Sequence, residues 1–219
     1  MAFDDLLKRM NTYFPKATIA YKDQSIFMKL LSILLFFNPD FMTTYTTTIG
    51  NTIYFPGEAY IKSHPISAEV VLLHEITHLY DKKRFSSILF TLSYLLPQIL
   101  APFILLLLFI LSWKFVLPLF ILFLLPLPAY FRTYFEKRAY LTALYVVYLL
   151  SKKENFNSNL NTAEQNYLSY IHGSEYYFMW TFKGIDAEFN EAVKNIETGN
   201  RPFVDDALFE MIEDLVKSA

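Results

Sequence analysis

The chain has 219 residues, of which 54% are hydrophobic and only 18% charged, with a net charge of −2. It contains no cysteine, which excludes disulfide stapling and thiolate metal sites. It shows no basic stripe, so nucleic acid is not an expected partner, and its length allows one compact domain plus an appendage.

In chain order, Phe3, Leu6, Leu7 and Met10 recur at helical spacing, so residues 2–12 read as a short amphipathic helix. The early Asp4 and Asp5 do not suit a secretory signal peptide. From Ile26 to Phe37 the chain is apolar except for Lys29 and Ser32. This run is too short to span a bilayer and reads as a buried or interfacial helix ended by Asn38-Pro39. Residues 41–49 and 52–55 are rich in β-branched and aromatic side chains and flank Gly50-Asn51, the pattern of a β-hairpin. Residues 66–84 have helical character.

From Phe85 to Phe131 the only charge is Lys114, the strongest polar group is Gln98, and five of the chain's ten prolines are present. Two stretches, 86–111 and 115–131, flank Ser112-Trp113-Lys114, and the sequence predicts a transmembrane helical hairpin. Lys82, Lys83 and Arg84 precede this block and Arg132, Lys137 and Arg138 follow it, which places both of its ends on the cytoplasmic side. Helical character resumes over 131–150, and 151–159 is a polar loop. Residues 162–182 are unusually aromatic, packing as core or forming an interfacial belt. Two further helices are expected near 185–197 and 204–217. The expected fold is mainly α with a small β-hairpin or sheet (α+β) plus the hydrophobic hairpin. One domain is then built from 1–84 and 132–219, with 85–131 inserted in the membrane.

The motif that carries chemistry is HEITH, residues 74–78. On a helix His74 and His78 share one face and can bind one metal ion, for which imidazole suits Zn²⁺, and Glu75 stands where a general base is needed. A third ligand must come from elsewhere. Asp81, seven residues after His74, better fits the role of orienting a ligand histidine. Glu136 is the stronger ligand: Ala139 and Ala143 share its helical face and allow close approach to the HEITH helix.

These features resemble the gluzincin metallopeptidases, in particular the minimal gluzincins and the membrane-bound peptidases of that class. TTTIGNTIYFP resembles their edge-strand element, HEITH their active helix, and Glu136-Lys137-Arg138-Ala139-Tyr140 their third-ligand motif; the resemblance covers roughly residues 40–150. It implies a zincin-like fold and one Zn²⁺ held by His74, His78 and Glu136. It also implies an edge strand at Thr47, Thr48 and Ile49 that pairs with an extended peptide or protein substrate. Two features depart from it. Many members carry Asp where Tyr140 stands, and the N-terminal transmembrane pair of the membrane-bound members has no counterpart. Tyr140, His172 and the tyrosines at 176–177 are candidates to stabilise the oxyanion; His64, before Pro65, reads as an ordinary loop residue. The expected function is a membrane-anchored zinc endopeptidase that meets the lipid bilayer and acts from the cytoplasmic side. The alternative is a non-catalytic membrane-embedded protein, an anchor, pore or assembly factor, with a vestigial or accidental HExxH.

Overall fold

Helix α1 (Phe3–Tyr13) begins with Asp4 and Asp5 in its first turn, where negative charge meets the positive end of the helix dipole, and it buries Leu6 and Met10. The computed structural model describes residues 3–35, 38–124, 129–154, 159–173 and 183–217. Strand β1 (Thr18–Tyr21) follows, then helix α2 (Ile26–Leu34), capped by Ser25, whose Oγ accepts from the Met28 amide at 3.2 Å. Strands β2 (Thr47–Ile49) and β3 (Thr52–Phe55) form the hairpin, turned at Gly50 with φ +62°, a conformation that glycine adopts at least cost. The sheet order is β1-β3-β2: β1 runs parallel to β3, and β2 is an edge strand, antiparallel to β3, with Thr48 opposite Ile53.

Helix α3 (Glu58–Ser63) leads into α4 (Pro65–Phe85), which starts on a proline whose missing N–H costs nothing at a first-turn position. Helices α5 (Ser87–Leu95), α6 (Ala101–Leu105) and α7 (Trp113–Leu124) occupy the hydrophobic block. Then come α8 (Tyr130–Glu154), α9 (Leu160–His172), α10 (Ile185–Glu197) and α11 (Asp206–Lys217).

Helix α8 is the spine. One of its faces puts Ala143, Val146 and Leu150 into a core with Leu72, Leu73 and Ile76 of α4, Ile53 and Phe55 of β3, and Leu6 of α1. Another face puts Leu141, Leu144 and Tyr145 into a second core with Phe189 and Val193 of α10, Ile171 of α9 and Phe209 of α11. Ala139 and Ala143 are completely buried, so small side chains line the approach of α8 to α4.

The α+β architecture has a three-stranded sheet rather than a hairpin alone, because β1 joins β3. The two continuous apolar spans expected over 86–131 are replaced by short pieces. Among the described residues no single helix is long and apolar enough to cross a membrane. The pair Ser87–Leu95 and Gln98–Leu105 passes by composition but is bent by 95°. The physical cause lies in the sequence: Pro97 lacks the N–H that would continue the helix, so α5 ends before a bilayer's thickness of about 30 Å is reached. Large apolar side chains nevertheless remain exposed there, among them Ile88, Leu89, Phe103, Ile110 and Phe115. Helix α2 is half inverted: Met28 is buried, while Ile26, Phe27, Leu30 and Ile33 face outward, which fits an interfacial helix better than a core one. Of the aromatic stretch, Tyr167 and Tyr170 pack beside Tyr140, whereas 174–182, including the tyrosines at 176–177, lie outside the described residues.

Lys22, at the end of β1, is fully buried. Its ammonium donates to the Phe41 carbonyl at 2.6 Å and sits 3.8 Å from the centre of the Phe41 ring. Burial pulls its pKa down from 10.5 to about 7, against the attraction of Glu75. Below pH 7 folded and unfolded chains both hold the proton and the buried charge costs most. From about 7 up to the ordinary lysine value the unfolded chain alone holds it, so this contribution to stability rises with pH. Lys22→Met is therefore expected to be more stable than the parent at about pH 6, with the advantage shrinking towards about pH 9. Chemical denaturation in detergent at several pH values measures it, and an advantage that does not change with pH would contradict the assignment.

Candidate metal centre

Helix α4 carries His74, Glu75 and His78 on its buried side, and α8 brings Glu136 to the same place. The four-residue spacing on α4 puts the two imidazoles edge to face, with ring centroids 4.9 Å apart. Glu136 lies between them: Oε2 is 3.3 Å from His74 Nε2, and Oε1 is 3.3 Å from His78 Nε2. One ligand atom from each of His74, His78 and Glu136 falls within 4.8 Å of the others, and all three residues are buried. This group could hold a metal ion.

Two observations bear on that fit. Burial raises the Glu136 pKa, but the close positive character of the His78 and His74 imidazoles outweighs it and holds the group well below the usual carboxylate range. Burial lowers the His78 imidazolium, but Glu136 outweighs it and raises the pKa to about 9. The pocket thus holds an anion that draws positive charge onto its neighbours. Glu136 Oε2, although 3.3 Å from His74 Nε2, makes no well-aligned hydrogen bond among the described residues, and a cation there would satisfy it. Two imidazoles and a carboxylate converging on a dry site suit a divalent metal.

Glu75 is buried beside the triad, and its Oε2 accepts from Thr48 Oγ1 at 2.6 Å. That contact ties the edge strand β2 to the active helix. Thr47 is half-buried and Ile49 exposed on the same strand. Tyr140, one turn after Glu136, is buried with its ring 4.7 Å from that of His74 and stacked on Tyr167 at 4.9 Å. It forms a wall beside His74.

Two residues stand elsewhere than the sequence suggested. Asp81 does not orient a histidine. Both its oxygens accept from Arg138, at 3.1 and 3.0 Å, and His78 Nδ1 has no hydrogen-bond partner among the described residues. The reason is charge: a fully buried carboxylate takes the guanidinium that α8 offers two residues after Glu136. His172 is partly exposed at the end of α9 and pairs with Asp186 at 2.7 Å rather than with a group of the triad. His64 stacks on Tyr60, with Nδ1 at 2.8 Å from the Ser63 hydroxyl.

The sequence reading missed Tyr94, whose hydroxyl donates to Glu136 Oε1, and Arg138. Arg138 also donates to Asp205 at 2.9 Å, and Asp205 accepts from Arg84 at 2.7 Å and Tyr80 at 3.1 Å. Asp81 and Asp205 thus share one buried guanidinium, which locks α4, α8 and the start of α11 together. No family model, curated protein or solved structure matches the chain.

Arg138→Met would leave Asp81 and Asp205 buried without their shared cation and should cost about 3–5 kcal/mol of stability. Arg84, whose side chain is 54% exposed, should cost under about 1 kcal/mol when changed to Ala. Parallel denaturation curves of the two variants check this, and equal losses would contradict the bridging role.

Proposed function

We propose that this chain is a membrane-associated zinc endopeptidase of gluzincin type. The observation that carries the reading is the convergence of His74, His78 and Glu136 on one buried point, with Glu75 beside it and held by the edge strand. Two imidazoles and one carboxylate form a donor set that suits Zn²⁺ and leaves a position open for reaction. When bound, zinc would polarise the scissile carbonyl and lower the pKa of the attacking water.

The chain's own residues supply the rest. Glu75 is the general base: Thr48 fixes its Oε2, which leaves Oε1 to take a proton from water and pass it to the leaving amine. Strand β2 has β3 on only one side, so the edge at Thr47, Thr48 and Ile49 offers backbone groups to an extended peptide, by strand addition. A substrate bound there lies along the strand that touches Glu75, which brings the peptide bond to the base. Tyr140 holds the His74 ring in place and keeps water from its back face.

Membrane association is inferred from the apolar side chains that the hydrophobic block and α2 leave exposed, and the bent α5–α6 pair suits partial insertion or a re-entrant path. Lys82, Lys83 and Arg84, at the end of α4, favour a cytoplasmic position for the catalytic part.

Elemental analysis of the detergent-purified chain is expected to find about one zinc per protein, lost or much reduced in His74→Ala and Glu136→Gln. Glu75→Gln should keep the zinc while cleavage of a peptide library falls by about 10²–10⁴-fold. A parent chain that takes up no zinc even when it is supplied would leave a membrane anchor as the better reading, and undiminished cleavage by Glu75→Gln would remove the role given to that residue.

A further inference from the structure

Helix α5 belongs to the hydrophobic block, yet one of its faces closes the metal centre. Phe90 and Tyr94, four residues apart, stack on each other at 5.8 Å and stand 6.2 and 6.1 Å from the His78 ring. Phe90 also packs on Phe135 at 4.6 Å. The opposite face carries Ile88, Leu89, Leu92 and Leu95, all exposed, and no residue of α5 is fully buried.

The helix is latched at its end by Arg132 of α8, one turn before Glu136. The buried Arg132 donates to the Tyr94 carbonyl at 3.3 Å and to Gln98 Oε1 at 3.2 Å, with its guanidinium 5.3 Å from the centre of the Tyr94 ring. Gln98, the conspicuous polar side chain of an apolar block, thereby has a use. The latch aims the Tyr94 hydroxyl at Glu136 Oε1, while Oε2 keeps no hydrogen-bond partner among the described residues.

We propose that Tyr94 is a positioning residue which occupies Oε1 of Glu136 and so restricts this ligand to a single metal-facing oxygen, Oε2. The inference rests on the metal reading above and extends it. A carboxylate free at both oxygens can bind in bidentate fashion and consume the position that the reaction needs open; one held by a hydroxyl cannot do so without breaking a buried hydrogen bond. The hydrophobic arm is thereby part of the metal centre as well as an attachment to lipid.

The test uses the full chain in detergent, loaded with Co²⁺, whose visible spectrum reports coordination number, together with competition against a chromophoric chelator. Tyr94→Phe keeps the ring packing and removes only the hydroxyl. It is expected to fold as the parent does by circular dichroism, to shift the Co²⁺ spectrum towards higher coordination, and to change metal affinity by about 10–100-fold. Phe90→Leu, which loosens the same helix but spares the hydroxyl, should keep the parental spectrum. A Tyr94→Phe spectrum and affinity equal to the parent's would overturn the inference alone, as would an equal shift in Phe90→Leu. A parent chain that binds no Co²⁺ would overturn the metal reading and this inference together.

Discussion

A buried charge must find an opposite charge or a set of hydrogen bonds, and the rest of this structure depends on how the meeting of α4 and α8 meets that requirement. Ionisable side chains of both helices are buried there, among them His74, Glu75, His78 and Asp81 from α4 and Arg132, Glu136 and Arg138 from α8. Each helix alone would have to expose these groups to water. Two clusters form among them, Glu136 with the histidines and Asp81 with Arg138. The Arg138 cluster satisfies itself. The Glu136 cluster does not quite, since Oε2 of the glutamate and Nδ1 of His78 stay without partners among the described residues. Incomplete satisfaction in a dry core costs stability, and functional sites are where such costs persist.

The hydrophobic block adds a second constraint. Among the described residues it forms short helices, none long and apolar enough alone to cross a membrane, and its exposed leucines, isoleucines and phenylalanines have no protein to cover them there. A plain anchor could tether the domain from a distance. Here α5 instead folds back on His78, and α8 continues from the far side of the block straight into Glu136. The two ends of the apolar segment therefore frame the metal centre.

Much of this was legible in the sequence, for identifiable reasons. The hairpin could be read because Gly50-Asn51 marks its turn, and HEITH because helical spacing fixes which faces meet. The place of Glu136 beside the histidines was legible because the small Ala139 and Ala143 on its face allow close helix contact. Strand β1 was not, since four residues, TIAY, acquire their meaning only from the parallel partner β3, more than thirty residues away. Tyr94 was hidden for the opposite reason. In a block dominated by apolar side chains a single tyrosine looks like bilayer chemistry, and nothing local reveals that its hydroxyl meets Glu136. Asp81 was misjudged because spacing along one helix says which face a side chain occupies but not what the neighbouring helix offers it, and α8 offered an arginine.

Lys82 shows how far a sequence reading of charge can be from its use. In the run Lys82-Lys83-Arg84 it counts as one of several positive charges flanking an apolar block. In the fold its ammonium donates to the Gly50 carbonyl and, at 3.0 Å, to Asn51 Oδ1, gripping the tip of the β2–β3 hairpin. Lys82 lies one turn beyond His78, and Thr48 of the same hairpin holds Glu75. The edge strand is therefore fastened to α4 at two points, Glu75 between the two histidines and Lys82 one turn beyond His78. A lone contact would let the strand pivot, whereas two contacts along one helix fix both its distance and its direction. The hairpin therefore fixes where β2 and Thr48 stand relative to Glu75 without contacting the His74–His78–Glu136 cluster.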